Sequence, residues 1–158
     1  MPPDDFGAEE SVDVAAPPAA VWAIVSDPTR TPDWSPVCRR VEWVPPSAGP
    51  GAGARFRGHN QLRMFRWSRE CRIDEWEPDR TIAFHTLVGD RVSTEWRYTL
   101  EPTATGTRLT ETYRARFLPV WVWLMRKLPG AASTSDRDTR RNLSTSLANL
   151  KRLAEAGG

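Results

Sequence analysis

Apolar and polar residues alternate along most of the middle of the chain. In TRLTETYRARF (107–117), Arg108, Thr110, Thr112, Arg114 and Arg116 share one parity, and Leu109, Glu111, Tyr113, Ala115 and Phe117 share the other. A strand sends successive side chains to opposite faces, so this pattern predicts a strand with one solvated face. The same reading turns Val92, Thr94, Trp96, Tyr98 and Leu100 inward, against Ser93, Glu95, Arg97 and Thr99 outward. Trp67, Arg69, Cys71 and Ile73 form an inward set, as do Phe56, Gly58 and Asn60, with His59 left on the arginine-bearing outer face. In TIAFHTLV (81–88), Phe84 shares parity with Ile82 and Thr86, while the direction of His85 stays open.

Turn signals separate these runs. ESVDVAA (10–16) predicts a first strand, and PPAAVWAIVSD a helix whose first turn accommodates Pro17 and Pro18. Asp27-Pro28 ends that helix and caps a second short one running towards DWSP (33–36). Strands at 38–44, 54–61, 63–76, 81–88, 91–102 and 107–117 follow, joined by hairpin-length loops such as EPDR and TATG. A final helix covers roughly 134–155, with Leu143, Leu147, Leu150 and Ala154 at helical spacing. One strand, two short helices, about six antiparallel strands and a long helix make an α+β architecture, in which the sheet hides one face by curling around the last helix. Residues 1–8 read as a flexible tail and 9–156 as one domain.

Composition narrows the function. The net charge of +2 and pI near 8.8 are mild, and 20 of the 22 basic residues are arginine. They are spread along strand faces rather than clustered, which argues against a nucleic-acid footprint. Cys38 and Cys71 form no CxxC pattern, and two histidines without matched carboxylate spacing argue against a metal site. No Ser/His/Asp or Cys/His motif is present. The acidic, proline-bearing start MPPDDFGAEE is unlike a secretion signal, so the expectation is a cytoplasmic protein without cofactor, monomeric or homodimeric.

Two inward positions break the apolar rule: Arg69 and Glu111. A buried charge costs several kcal/mol unless paired. They could satisfy one another across the interior, each could bind water or ligand, or a bulge could carry one of them to solvent. Among Trp96 and Tyr113, Glu111 would have a raised pKa, which makes it the best general acid/base candidate. Extending the stripe of the last helix backwards from Leu143 reaches Thr139 or Arg140, and then Asp136. These polar residues suit either a wet cavity mouth or a solvated first turn.

Several stretches together carry a family resemblance: PPAAVWAIVSDPTRTPDWSP, GARFRGHNQ, RWSRECRIDEWEPDR, TEWRYTLEPTATGTRLTETY and SLANLKRLAE. In this order they resemble the polyketide cyclase/dehydrase-like branch of the START-related SRPBCC superfamily, over roughly 9–155. The resemblance implies a helix-grip fold: a curved seven-stranded antiparallel sheet around a long C-terminal helix, with two short helices between strands 1 and 2 and a cavity between sheet and helix. It implies a hydrophobic or aromatic small-molecule ligand, lipid- or polyketide-like. Trp67, Phe84, Trp96, Tyr98 and Leu143 would line the wall, with Trp34 at the entrance and Asn60, Arg69 or Glu111 meeting a polar end. Fold alone does not supply activity. The enzyme alternative is a cyclase, aromatase or dehydratase in which Glu111 shuttles a proton, with Tyr113 or Tyr98 supporting an enolate. In the segment FLPVWVWLMRKLPG (117–130), the nine-residue apolar run from Phe117 to Met125 is too short to span a bilayer as a helix. In this architecture it reads as a lid carrying Trp121 and Trp123, ahead of plain core packing and of a membrane contact for lipid transfer.

Overall fold

The computed structural model describes residues 6–116, 120, 124 and 131–157. Strand β1 (Phe6–Val14) leads into helix α1 (Pro18–Val25) and a short 3-10 helix (Pro28–Asp33). Strands β2 (Cys38–Trp43), β3 (Arg55–Leu62), β4 (Phe65–Glu77), β5 (Thr81–Val88), β6 (Arg91–Thr103) and β7 (Gly106–Ala115) follow. Helix α2 (Ala131–Ala156) closes the chain. The seven strands form one antiparallel sheet in the order β1-β7-β6-β5-β4-β3-β2. Each strand after β1 pairs with its chain neighbour, and β1 adds to the free edge of β7.

Local chemistry accounts for the boundaries. Pro17 and Pro18 open α1, where a missing N–H costs nothing. Asp27 caps the 3-10 helix by accepting from the Thr29 N–H at 3.0 Å and the Thr29 hydroxyl at 2.6 Å. The β4–β5 turn puts Asp79 in the left-handed region (φ 62°), which a short polar side chain tolerates. Gly106 opens β7 hard against the end of β1: a Cβ there would lie 2.1 Å from the Val14 carbonyl oxygen. β1 begins at Phe6, so residues 6–8 belong to the sheet rather than to a tail; Phe6 is opposite Ala115.

The concave face carries the core. Phe56, Cys71, Ile73, Ile82, Tyr98, Leu100 and Leu109 pack under Val21, Ile24 and Val25 of α1 and Leu147, Leu150 and Ala154 of α2. Full burial of such an aliphatic side chain stabilises the fold by about 1.5–3 kcal/mol. Polar bonds fix α2 on the sheet. The Lys151 ammonium donates to the Asp13 carbonyl at 2.7 Å, and the Ala15 N–H donates to Glu155 at 2.9 Å. These contacts hold the C-terminal half of α2 at the end of the sheet where β1 finishes.

A bulge in β4 between Ile73 and Glu75 changes the parity of that strand. Trp76, near the end of β4, therefore turns to the inner side and packs edge-on against Trp22, with ring centroids 5.0 Å apart. The extra residue, Asp74, is aimed at the outer face, where it meets Arg72 and His85. No helix of the described residues is long and apolar enough to cross a membrane.

Candidate functional site

The register of β6 on β7 sets Tyr98 directly opposite Glu111. Facing residues of an antiparallel pair share a side of the sheet, and both of these look into the concave interior. The Tyr98 hydroxyl donates to Glu111 Oε1 at 2.8 Å. Glu111 is only 2% exposed, and its Oε2 has no hydrogen-bond partner among the described residues. Burial pushes its carboxyl up to about 8, against a smaller opposing effect of the Tyr98 hydrogen bond. At neutral pH it is thus mostly the neutral acid. Burial, and then the nearby Glu111, also raise the Tyr98 phenol well above its ordinary value.

Trp34 completes this group. It follows the 3-10 helix and is 2% exposed, so it is an interior residue and not an entrance one. Asn149 of α2 donates to its carbonyl at 2.9 Å, which ties the turn to the long helix. The indole favours ionisation of the neighbouring Tyr98 hydroxyl, yet its own Nε1–H has no acceptor in hydrogen-bond geometry among the described residues. A buried donor and a buried acceptor-or-acid are therefore both unsatisfied beside one phenol. Such atoms ordinarily cost 1–3 kcal/mol each when left unpaired.

The other expected residues scatter around this centre. Trp96 and Tyr113 are cross-strand partners with ring centroids 4.7 Å apart. Tyr113 thus stacks on Trp96, and it is Tyr98 that holds Glu111. Phe84 packs edge-on against Phe56 at 5.3 Å, and Leu143 is buried. Asn60 is half-buried and opposite Trp67, but Trp67 is exposed near the β3–β4 turn and is no closed wall. Arg69 does not pair with Glu111; its guanidinium donates to the Ser68 carbonyl at 3.0 Å. Arg140 is exposed, because the helical phase brings Thr139 rather than Arg140 towards the protein. Trp121 and Trp123, with the Asp136 side chain, lie outside the described residues. Both thiols are buried, and burial raises Cys38 to about 11 and Cys71 to about 12, so neither is a ready nucleophile.

The convex face holds a second polar cluster, in which the one residue of undecided direction was His85. His85 lies between Asp74 and Glu95, with Nε2 3.0 Å from Glu95 Oε2. Arg116 donates to the same Glu95 oxygen at 2.9 Å, and Arg97 bonds Glu75 at 2.6 Å. Burial alone would raise the Glu95 carboxyl, but hydrogen bonds from His85 and Arg116 and the charge of Arg97 outweigh it and hold it below the usual range. The sequence signals for this cluster were the outward parity of Glu95 and the parity that Asp74 shares with Arg72, opposite to inward Ile73. Nearby, Arg97 and Arg114, three threonines and the carboxylates Glu9, Glu95 and Glu101 line an open, mostly polar groove of about 410 Å³.

A family model described as polyketide cyclase / dehydrase and lipid transport matches residues 6–155. The chain belongs to this family. Among solved structures, the polyketide cyclase-like protein Cgl2372 of Corynebacterium glutamicum is 31% identical, with 98% of this chain and 94% of that one covered and a TM-score of 0.62. The aromatase/cyclase ZhuI of a Streptomyces species is 22% identical, with 98% and 99% covered and a TM-score of 0.68. A Nitrosomonas europaea protein reaches a TM-score of 0.70 at 16% identity, with 96% of each chain covered. No curated protein matches the chain. The helix-grip architecture expected of this polyketide cyclase-like family is the one the chain adopts.

Proposed function

We propose that this polyketide cyclase-like chain binds a hydrophobic or aromatic small molecule between its sheet and α2, with the ligand's polar end at Trp34, Tyr98 and Glu111. The observation that carries this reading is the pair of unsatisfied buried atoms, Trp34 Nε1 and Glu111 Oε2, beside one phenol. The indole can only donate, and a protonated Glu111 can donate as well. Together they suit a carbonyl or phenolic oxygen on an otherwise apolar body. Binding of such a ligand weakens as Glu111 ionises, above a pH of about 8. Native mass spectrometry of the protein from its own source, with extraction of what it carries, tests the reading. A discrete aromatic or lipid-like molecule, lost from W34F and E111L, supports it; a protein that carries none and takes up no apolar probe sinks it.

The enzyme reading is favoured by one observation, a carboxyl titrating near neutrality with a free oxygen. Such a group suits proton transfer in a cyclisation or dehydration. An E111Q variant that keeps ligand affinity and loses turnover supports catalysis; unchanged turnover removes it.

A further inference from the structure

The tip of the β3–β4 hairpin exposes large apolar side chains. Met64 is 94% and Phe65 77% exposed, with Leu62 and Trp67 exposed beside them. Leu62 and Phe65 are cross-strand partners, and the two-residue connection between them places Arg63 in the left-handed region at φ 56°. Glycine occupies that region at no steric cost, yet this turn keeps long side chains at its apex. The Gln61 amide donates to the Arg63 carbonyl at 3.1 Å and braces the turn.

Charge at this tip has one sign. Residues 54–69 include Arg55, Arg57, Arg63, Arg66 and Arg69 and contain no acidic residue. Arg55 and Arg57 are taken up by Glu70, whereas Arg63 and Arg66 have no acidic partner among the described residues. The hairpin also sits at a particular end of the sheet. β7 finishes there, with the Arg116 N–H donating to the Ser93 carbonyl at 2.8 Å beside the β5–β6 turn. Beyond it, Val120 and Leu124 are again exposed, four residues apart in helical backbone.

We propose that the β3–β4 hairpin tip docks the protein on an anionic lipid bilayer, with Met64 and Phe65 entering the interface and Arg63 and Arg66 on the lipid phosphates. A few apolar anchors flanked by arginine suit an interfacial site. An anionic surface complements a tip whose charged side chains are all positive. The docking turns the end of the sheet from which residue 116 departs towards the bilayer. It does not rest on the identity of any bound molecule.

The test is sedimentation with phosphatidylcholine vesicles, with and without added phosphatidylglycerol, using the full chain, M64A/F65A and R63Q/R66Q. The expected result is binding to the anionic vesicles that weakens about tenfold in M64A/F65A and becomes insensitive to salt in R63Q/R66Q. All four positions are exposed, so circular dichroism and melting of the variants should match the parent. No binding to either vesicle, or equal binding by M64A/F65A, overturns the proposal. A mass in solution that falls from dimer to monomer in M64A/F65A, with vesicle binding unchanged, overturns it too and makes the tip a contact between copies.

Discussion

Glu95 and Glu111 lie on adjacent strands of one sheet, nearly equally hidden at 9% and 2% exposure, and behave as opposites. On the convex face Glu95 is gripped by His85, Arg97 and Arg116, so its charge is compensated and its pKa is held down. On the concave face Glu111 has a single neutral partner, the Tyr98 hydroxyl, and its pKa is driven up. Burial raises both carboxyls, so it does not by itself explain why they end on opposite sides of the ordinary value. The number of cationic donors within reach decides which acid is a structural anchor and which is chemically available.

The comparison breaks most visibly at Glu111. Its folded value of about 8 lies above its ordinary 4.5, so the folded form holds the proton more tightly. Stability from this group is complete below about 4.5 and declines as pH rises through about 8, by a total on the order of several kcal/mol. Urea denaturation at several pH values should show that decline between about 4.5 and 8 in the parent and its loss in E111Q. Parallel profiles would mean that Glu111 is ionised throughout.

Glu95 should give the opposite sign. Its depressed value means that its contribution is present above the ordinary 4.5 and lost as pH falls below it. E95Q should cost ~1–2 kcal/mol at neutral pH, modest because Arg116 remains well exposed. That cost should shrink in high salt, whereas the Glu111 slope should persist. A cost independent of both salt and pH would reduce Glu95 to a packing residue.

The finest test is Y98F, which removes the one hydrogen bond that lowers the Glu111 pKa. Its expected cost is about 1 kcal/mol, with the titration midpoint of Glu111, followed by its carboxyl infrared band, moving upward. A downward move would require a donor to Glu111 other than Tyr98.

Much of this contrast was legible from parity. Period-two alternation in 107–117 set Glu111 inward, and the same pattern put Tyr98 on its side of the sheet, because both strands are regular there. Parity failed where strands are not regular: the β4 bulge redirected Glu75 outward to Arg97 and Trp76 inward to the core. It also says nothing about how far a strand outruns the helix beneath it. Trp67 has the inward parity of Cys71, yet it stands exposed near the tip while Cys71 is buried. Trp34 could not be placed from local pattern, since its burial depends on a turn tied to α2 through Asn149. Arg140 failed by one residue of helical phase, the margin at which a stripe read from sequence loses its direction.

The pairing of β1 with β7 joins Phe6 to Ala115, and the first strand has no other neighbour in the sheet. During synthesis, β1 must therefore wait for β7, which emerges about a hundred residues later. Until then it is an open edge in a chain whose longest-range contacts form latest, the circumstance in which nascent sheets fold slowly and stick to one another. Glu9, Glu10 and Asp13 supply that edge with negative charge over the interval, a common protection for unpaired strands. Completion of β7, more than any contact within β1 itself, is then the step that ends this exposure.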